Sequence, residues 1–173
     1  AIVEHLGLVD GEVMFSQNKI PAEVLSMIYN ISDCVVNISD AEGFGLATLE
    51  ALSTETPIIV NMTGGLQEQV TDGENWFGIE PSSKAIIGSQ PIPWIYEDRI
   101  SGKDLVEAML KIYNMSEEER AAVGKLGRQH VTNNYNFEKY KNNWEALLLR
   151  VHEEYGSWEN RKGYKKYELT EVL

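Results

Sequence analysis

The 173-residue chain contains one cysteine, Cys34. A lone cysteine excludes an internal disulfide framework and any cysteine-based zinc site. It leads the apolar run CVVNIS, where a small buried hydrophobe is expected. No apolar run approaches the roughly 20 residues that a membrane-spanning helix requires. The opening residues lack the charged segment and apolar core of a signal peptide. Basic charge is also short: 15 Lys and Arg face 27 Asp and Glu, a net charge of −12. That excess of acid argues against a nucleic-acid partner, because no basic surplus exists to neutralise phosphates. Any phosphate bound here must be held by backbone amides, or by cations supplied from elsewhere. No internal repeat and no low-complexity segment interrupts the chain. What remains is ordinary soluble material, 43% hydrophobic and 24% charged, long enough for one domain with a sizeable core.

Four N-x-S/T sequons occur, at Asn30, Asn37, Asn61 and Asn114. Those at Asn37 and Asn61 fall in apolar strand-like runs, where a glycan would disrupt packing, so all four read as accidental. The expected location is cytoplasmic. The segment AIVEHLGLVD reads as the end of a helix plus a turn, and position 1 is not Met. A parallel α/β domain normally opens on a strand, so the chain is expected to be a piece of a longer protein.

The apolar pattern alternates in type. Strand-like runs occur at Glu12–Ser16, Cys34–Ser39, Pro57–Met62 and near Trp76–Ile79. Amphipathic segments lie between them. PAEVLSMIYNI carries Pro21 in its first turn and repeats Val24, Ile28 and Ile31 at helical spacing. GLATLEALST and GLQEQVTDG follow the next two strands, the latter with Gly73 as a helix stop. Strand–helix alternation with continuous apolar strands specifies α/β architecture: a Rossmann-like parallel sheet with helices on both faces. Ligands of such sheets bind at the carboxyl ends of the strands. Residues 81–100, PSSKAIIGSQPIPWIYEDRI, break the rhythm and predict a hairpin or an ordered loop. Helices follow, capped at Ser101 and by a Ser116–Glu119 capping box, and then a third whose stripe is Phe137, Tyr140, Trp144 and Leu148. One α/β domain over 1–156 and a polar, aromatic tail over 157–173 complete the expected organisation.

The richest stretch is SDAEGFGLATLEALSTETPIIV, residues 39–60. Glu42 follows a strand. Gly43 and Gly45 permit backbone angles and close approaches that a side chain forbids. A helix starting near Gly45 and Leu46 aims its free amides back over the strand end, an arrangement suited to phosphate. Glu50, about a turn and a half along, could accept hydrogen bonds from hydroxyls in the same crevice. Two carboxylates around a cradle of amides suit a ligand with sugar hydroxyls at both ends and phosphates between them. The plainer alternative is a solvated loop acid and an exposed helix residue; the glycines favour the ligand-binding reading, since glycine is costly at a helix start unless backbone shape demands it.

The string E-G-F-G-L-A-T-L-E resembles the E-x7-E motif of the retaining group 1 glycosyltransferases, enzymes of the two-domain GT-B architecture. The resemblance extends over about residues 7–155 and is specific over 22–73, through PAEVLSMIYNISDCVVNIS and EALSTETPIIVNMTGGLQEQVTDG. It implies the C-terminal, donor-binding half of such an enzyme. By that resemblance Glu42, the residue of the catalytic centre, contacts hydroxyls of the donor sugar rather than acting as a nucleophile. Amides of Gly43, Phe44 and Gly45 pack against that sugar, and those of Leu46 and Ala47 hold the diphosphate. Glu50 binds the ribose, and the Gly64–Gly65 turn lines the same crevice. The base falls by Phe15, Ser16, Gln17 and Asn18. The implied reaction is sugar transfer from a UDP-, GDP- or ADP-linked donor with retained configuration, without cofactor or metal. The acceptor, a glycan, lipid or protein, belongs to a missing N-terminal domain, as does a basic pair that neutralises the diphosphate. That domain is also the route by which the enzyme could touch a membrane surface. Alone, the fragment is expected to be poorly active or inactive. The longer loop at 81–100 departs from the family pattern.

Two other readings stay open: a non-catalytic nucleotide-binding or interaction module, and another GT-B enzyme such as a sugar-nucleotide epimerase. Asp40-Ala41-Glu42 matches a metal-binding D-x-D pattern only in outline, and that pattern belongs to another architecture. His5, His130 and His152 fall on helices, in surface or packing roles. Trp76 and Trp94 are expected as core or loop anchors.

Overall fold

The computed structural model describes residues 2–70 and 77–163. Its elements in chain order are α1 (Ile2–His5), α2 (Ala22–Ile31), β1 (Val35–Asn37), α3 (Leu46–Ser53), β2 (Ile58–Asn61) and α4 (Leu66–Gln69). There follow β3 (Phe77–Ile79), β4 (Ser83–Ser89), β5 (Ile92–Arg99), α5 (Gly102–Tyr113), α6 (Glu117–Asn134) and α7 (Phe137–Tyr155). Strands β1, β2 and β3 form a parallel sheet in that order, with Val36 opposite Ile59 and Val60 opposite Gly78. Strands β4 and β5 form a separate antiparallel hairpin.

The central strand explains why the sheet needs two covering layers. All four residues of β2 are fully buried. Ile58 and Val60 point to a cluster with Tyr29, Leu49, Ala51, Leu52 and Leu66 from α2, α3 and α4. Ile59 points the other way, against Ile79 and, from α5, Ala108 and Ile112. Alternate side chains of one strand thus seed two cores, as the period of 2 dictates. Helix α6 closes the first layer against α3. A Cβ at Gly124 would lie 1.9 Å from the Glu55 carbonyl oxygen, and one at Gly127 would lie 2.5 Å from Leu52. The glycines are what let α6 approach this closely.

Several expectations require correction. The run Glu12–Ser16 forms no strand; it is bent and then irregular, with Met14 and Phe15 largely exposed. A strand exists only where its amides find a partner, and none pairs with this run among the described residues. In α2 the stripe Val24, Ile28 and Ile31 faces outward, and the buried side is Tyr29 with Leu25. The two stripes differ by one residue, so period alone could not choose between them. Pro21 serves as the N-cap rather than inside the first turn. Helix α4 stops at Gln69, with Val70 extended; the stop at Gly73 and the anchor Trp76 lie outside the described residues. Cys34 is half-buried, and burial pushes its thiol pKa up, with Asp33 adding to the rise. Trp94 is no core anchor: it is 71% exposed in the hairpin, with φ of 66°.

Other expectations are met. Residues 81–100 are the hairpin, the Ser101 hydroxyl accepts from the amides of Lys103 and Asp104, and the Ser116–Glu119 capping box is formed. Helix α7 has the expected span, but no residue in it is buried and its stripe faces outward. Of the tail, Trp158 is exposed under the Arg161 guanidinium at 3.9 Å; Tyr164 and Tyr167 lie outside the described residues.

Gly124→Ala provides a test with an inverted sign. Glycine to alanine inside a helix ordinarily stabilises by about 0.5–1 kcal/mol. Here the added methyl meets a carbonyl, and a net loss of about 1–3 kcal/mol is expected from overpacking. Urea denaturation followed by circular dichroism measures it; a gain in midpoint would refute the close packing of α6 on α3.

Candidate functional site

Two loops leave the carboxyl ends of neighbouring strands and meet. The first, residues 38–45, follows β1; the second, residues 62–65, follows β2. The Gly65 amide donates to the Glu42 carbonyl at 3.0 Å. Gly64 has φ of +48°, and a Cβ there would lie 1.9 Å from the same Glu42 oxygen. A Cβ at Gly65 would lie 2.6 Å from the Gly43 oxygen. The Gly64–Gly65 turn therefore fits under the Glu42–Phe44 loop only because neither residue has a side chain.

Gly45 is the N-cap of α3 and adopts the left-handed conformation, φ 88°, ψ 56°. Its carbonyl accepts from Leu49 N–H, starting the helix. It is held from below by the buried Gln69 on α4, whose Nε2 donates to the carbonyls of Phe44 and Gly45 at 2.6 and 2.9 Å. Thr48 Oγ1 donates to Gln69 Oε1 and approaches the Gly45 carbonyl at 2.8 Å. No side chain caps the first turn of α3, and that turn contains no acid. Every other described helix has an acidic residue in its first turn. Gly43, Phe44, Leu46 and Ala47 are all exposed, so the mouth of α3 is open.

The two acids flank this mouth. Glu42 is half-buried, and its Oε1 accepts from the Phe44 amide at 3.4 Å. Glu50 is exposed, and its Oε2 accepts from the Tyr29 hydroxyl at 3.0 Å. It shares a helix face with Leu46 and Ala47, and helical side chains lean toward the N-terminus, back toward the open amides. Phe44 packs edge-on to Tyr135 with centroids 6.0 Å apart. Beside them a cleft of about 630 Å³ runs between the start of α3 and the α6–α7 corner, lined by Leu46, Leu49, Phe137 and Tyr140 among others.

The hairpin is anchored on this site. The Asp98 amide donates to the Asp40 carbonyl at 2.8 Å, and the Asp98 carboxylate accepts from Thr63 Oγ1 at 2.8 Å. Arg99 pairs with Asp40 and Glu97. Asn61 Nδ2, fully buried, bridges the carbonyls of Ser39 and Asp98. Asp40 of the D-x-D outline is thus an ion-pair partner of the hairpin base.

The structure brings Glu42, Gly43, Phe44, Gly45, Leu46, Ala47, Glu50, Gly64 and Gly65 to one edge of the sheet. It does not tie Phe15, Ser16, Gln17 and Asn18 to them. Phe15 is 72% exposed, and the one bond described for that group runs from Ser16 Oγ to the Asn18 carbonyl at 3.3 Å. Sequence reading missed Tyr29, Gln69, Thr48, Asn61 and Thr63. A polar residue that folds inward looks like any other polar residue in a string; the one signal was Asn61, closing a wholly apolar run.

The model of the family described as "Glycosyl transferases group 1" matches residues 3–130. The chain belongs to this family. It is 36% identical over 93 residues to a D-inositol 3-phosphate glycosyltransferase of Corynebacterium urealyticum, a match covering 54% of this chain and 20% of that protein. The fold superposes on the sucrose-phosphate synthase of Thermosynechococcus elongatus with a TM-score of 0.65 and 25% identity, covering 88% of this chain and 33% of that one. An Anabaena protein solved in complex with UDP-glucose superposes at 0.64 with 17% identity, over 86% of this chain and 35% of that one. The α/β fold is that of GT-B glycosyltransferase structures. The matches span about a fifth of the curated relatives' length.

Gly64→Ala tests the seating of the two loops. The positive φ and the 1.9 Å approach act together, so a destabilisation of roughly 1–3 kcal/mol is expected. Hydrogen exchange at the Gly65 amide should accelerate along with it. An unchanged exchange rate would show that the loops do not depend on this contact.

Proposed function

We propose that the chain is the donor-binding half of a glycosyltransferase, which moves a sugar from a nucleoside-diphosphate donor to an acceptor with retention of configuration. The observation that carries the proposal is the open first turn of α3, without side-chain cap or acid, between Glu42 and Glu50. Family membership favours glycosyl transfer over an epimerase or a stand-alone binding module. The complex of the Anabaena relative with UDP-glucose supports a nucleotide-sugar donor.

In this reading the amides of Leu46 and Ala47 take the diphosphate, and Glu50 takes ribose hydroxyls. Glu42 takes sugar hydroxyls, with the amides of Gly43, Phe44 and Gly45 against the sugar. The main barrier is departure of the nucleoside diphosphate, as negative charge grows on its oxygens. Amides already aligned at a helix start stabilise that charge without reorganising. Losing one such donor typically costs on the order of 3 kcal/mol. Glu42 holds the sugar and does not attack it: a glycosidase-like pair must flank the anomeric carbon, and Glu50 sits back along the helix.

The acceptor site belongs to an N-terminal domain, and the exposed stripe of α7 is the face offered to it. Phe137 and Tyr140 stack with centroids 6.3 Å apart, Tyr140 meets Trp144 at 6.2 Å, and Leu148 continues the row. Four large apolar side chains on a helix with nothing buried are costly to leave in water. The donor base (uracil, guanine or adenine) is set by parts of the crevice beyond the motif.

Titration of the 15N-labelled chain with UDP, GDP and ADP, at concentrations up to millimolar, tests the reading. At least one should shift the amide resonances of Gly43 through Ala47. Glu50→Ala should weaken that binding about tenfold, the scale of a lost hydrogen bond to a charged group. Absence of shifts at Leu46 and Ala47 with all three nucleotides would overturn it.

A further inference from the structure

Tyr29 lies outside the motif, on the preceding helix, yet its hydroxyl meets the motif's second acid. The tyrosine is 9% exposed, its ring packed in the core cluster with Leu49, Leu52 and Ile58. Its backbone is pinned as well: the Tyr29 carbonyl accepts from Thr56 Oγ1 at 2.8 Å and from the Ser32 amide at 3.1 Å. The hydroxyl is thus a fixed point, set by a core ring on one side and two backbone bonds on the other. From there it donates to Glu50 Oε2 at 3.0 Å, across 21 residues of sequence. Burial first, and the Glu50 carboxylate second, push the Tyr29 pKa up to about 12. The hydroxyl therefore remains a donor throughout the neutral range.

Glu50 by contrast is exposed and stands on a flexible stem. A free glutamate loses much of its rotamer freedom when a ligand fixes it. One oxygen already held by Tyr29 removes much of that loss and leaves the other oxygen facing solvent. We propose that Tyr29 is a positioning residue which presents Glu50 to the ribose hydroxyls of the donor nucleotide, and so sets the preference for a ribonucleotide over its deoxy form. This rests on the donor-binding reading of Glu50. It adds a second helix to the nucleotide site and a residue that the E-x7-E spacing does not contain.

The experiment compares UDP, GDP and ADP, each with its 2′,3′-dideoxy analogue, by calorimetry, in four proteins. The native chain should prefer the ribose form. Tyr29→Phe, which keeps the ring and removes the hydroxyl, should reduce that preference about fivefold, by weakening the ribose form alone. Glu50→Ala should abolish the preference, and adding Tyr29→Phe to Glu50→Ala should change nothing further. If Tyr29→Phe does not fold by circular dichroism, Tyr29→Met fills the space without a hydroxyl and is read the same way. Preference intact in Tyr29→Phe but lost in Glu50→Ala overturns the positioning role and leaves the donor site standing. A Tyr29→Phe loss equal for both nucleotides marks a structural role only and likewise overturns it. Failure of the native chain to bind any of these nucleotides removes both readings together.

Discussion

The site depends on one steric constraint: two loops leave adjacent parallel strands and must occupy the same space. Neighbouring strands lie about 4.8 Å apart, too little for two loops with side chains to cross face to face. Gly64 and Gly65 resolve this by offering bare backbone to Glu42 and Gly43. The Gly65–Glu42 hydrogen bond then fixes the height of the first loop over the sheet. With the loop at that height, Gly45 turns left-handed and α3 begins with its amides pointing outward. Gln69 completes the arrangement from beneath. By binding the Phe44 and Gly45 carbonyls it satisfies two acceptors of the loop, while the first turn of α3 stays without a side-chain cap.

The hairpin, which looked like an interruption of the α/β pattern, is built into the same edge. Its base contributes Asp98 and Arg99 to the loop after β1, and Thr63 and Asn61 meet it from the loop and strand of β2. A fully buried asparagine costs several kcal/mol unless its polar atoms are bonded. Asn61 Nδ2 is placed where two carbonyls from different segments, Ser39 and Asp98, share it, while its buried Oδ1 has no partner among the described residues. The polar end of an otherwise apolar strand is therefore the rivet between the sheet and the inserted arm. A two-stranded hairpin alone is marginal in water. This one is held in place at its base, while its apolar outer part, around Ile86, Ile92 and Trp94, stays exposed.

How much of this was legible in the sequence follows from the physics of each element. The strand in Pro57–Met62 was readable because β2 is buried on both faces, so burial writes a continuous apolar run; the one in Cys34–Ser39 was readable from its β-branched composition, although Val36 and Ile38 stay exposed at the sheet's edge. Helix starts at Ser101 and Ser116 were readable because capping is local chemistry. The glycine loop was readable because paired glycines signal a left-handed backbone or a close approach, and Gly45 shows both. The run Glu12–Ser16 has the same composition as a strand but lacks a partner, and pairing is a property of two segments. The α2 stripe failed for a similar reason. Val24, Ile28 and Ile31 and the pair Leu25 and Tyr29 are adjacent stripes; the Thr56 bond to the Tyr29 carbonyl and the Tyr29 bond to Glu50 belong to the buried one. Tyr29, Gln69 and Thr63 do their work through long-range hydrogen bonds, which leave no periodic trace.

The chain's charge gives the last step. A protein with net charge −12 is an unpromising home for a diphosphate, and its acids are not placed at random. At six of the seven described helices an acid sits in the first turn, where it complements the positive end of the helix dipole. At α3 the first turn is Leu-Ala-Thr, and its N-cap is a glycine without a side-chain acceptor. The stabilisation available to that helix from an internal acid, typically about 0.3–1 kcal/mol, is forgone. An internal carboxylate there would satisfy the amides and repel any incoming phosphate. The two nearby acids stand back from the axis: Glu42 in the preceding loop, and Glu50 a turn and a half along, held by Tyr29. Among the described helices each of the others opens with an acid, and α3 opens without one, beside loops that meet through the bare backbone of Gly64 and Gly65. In the donor site proposed above, the anion is met by amides of a helix whose own first turn carries no acid, so no surplus of cations is required of the rest of the chain.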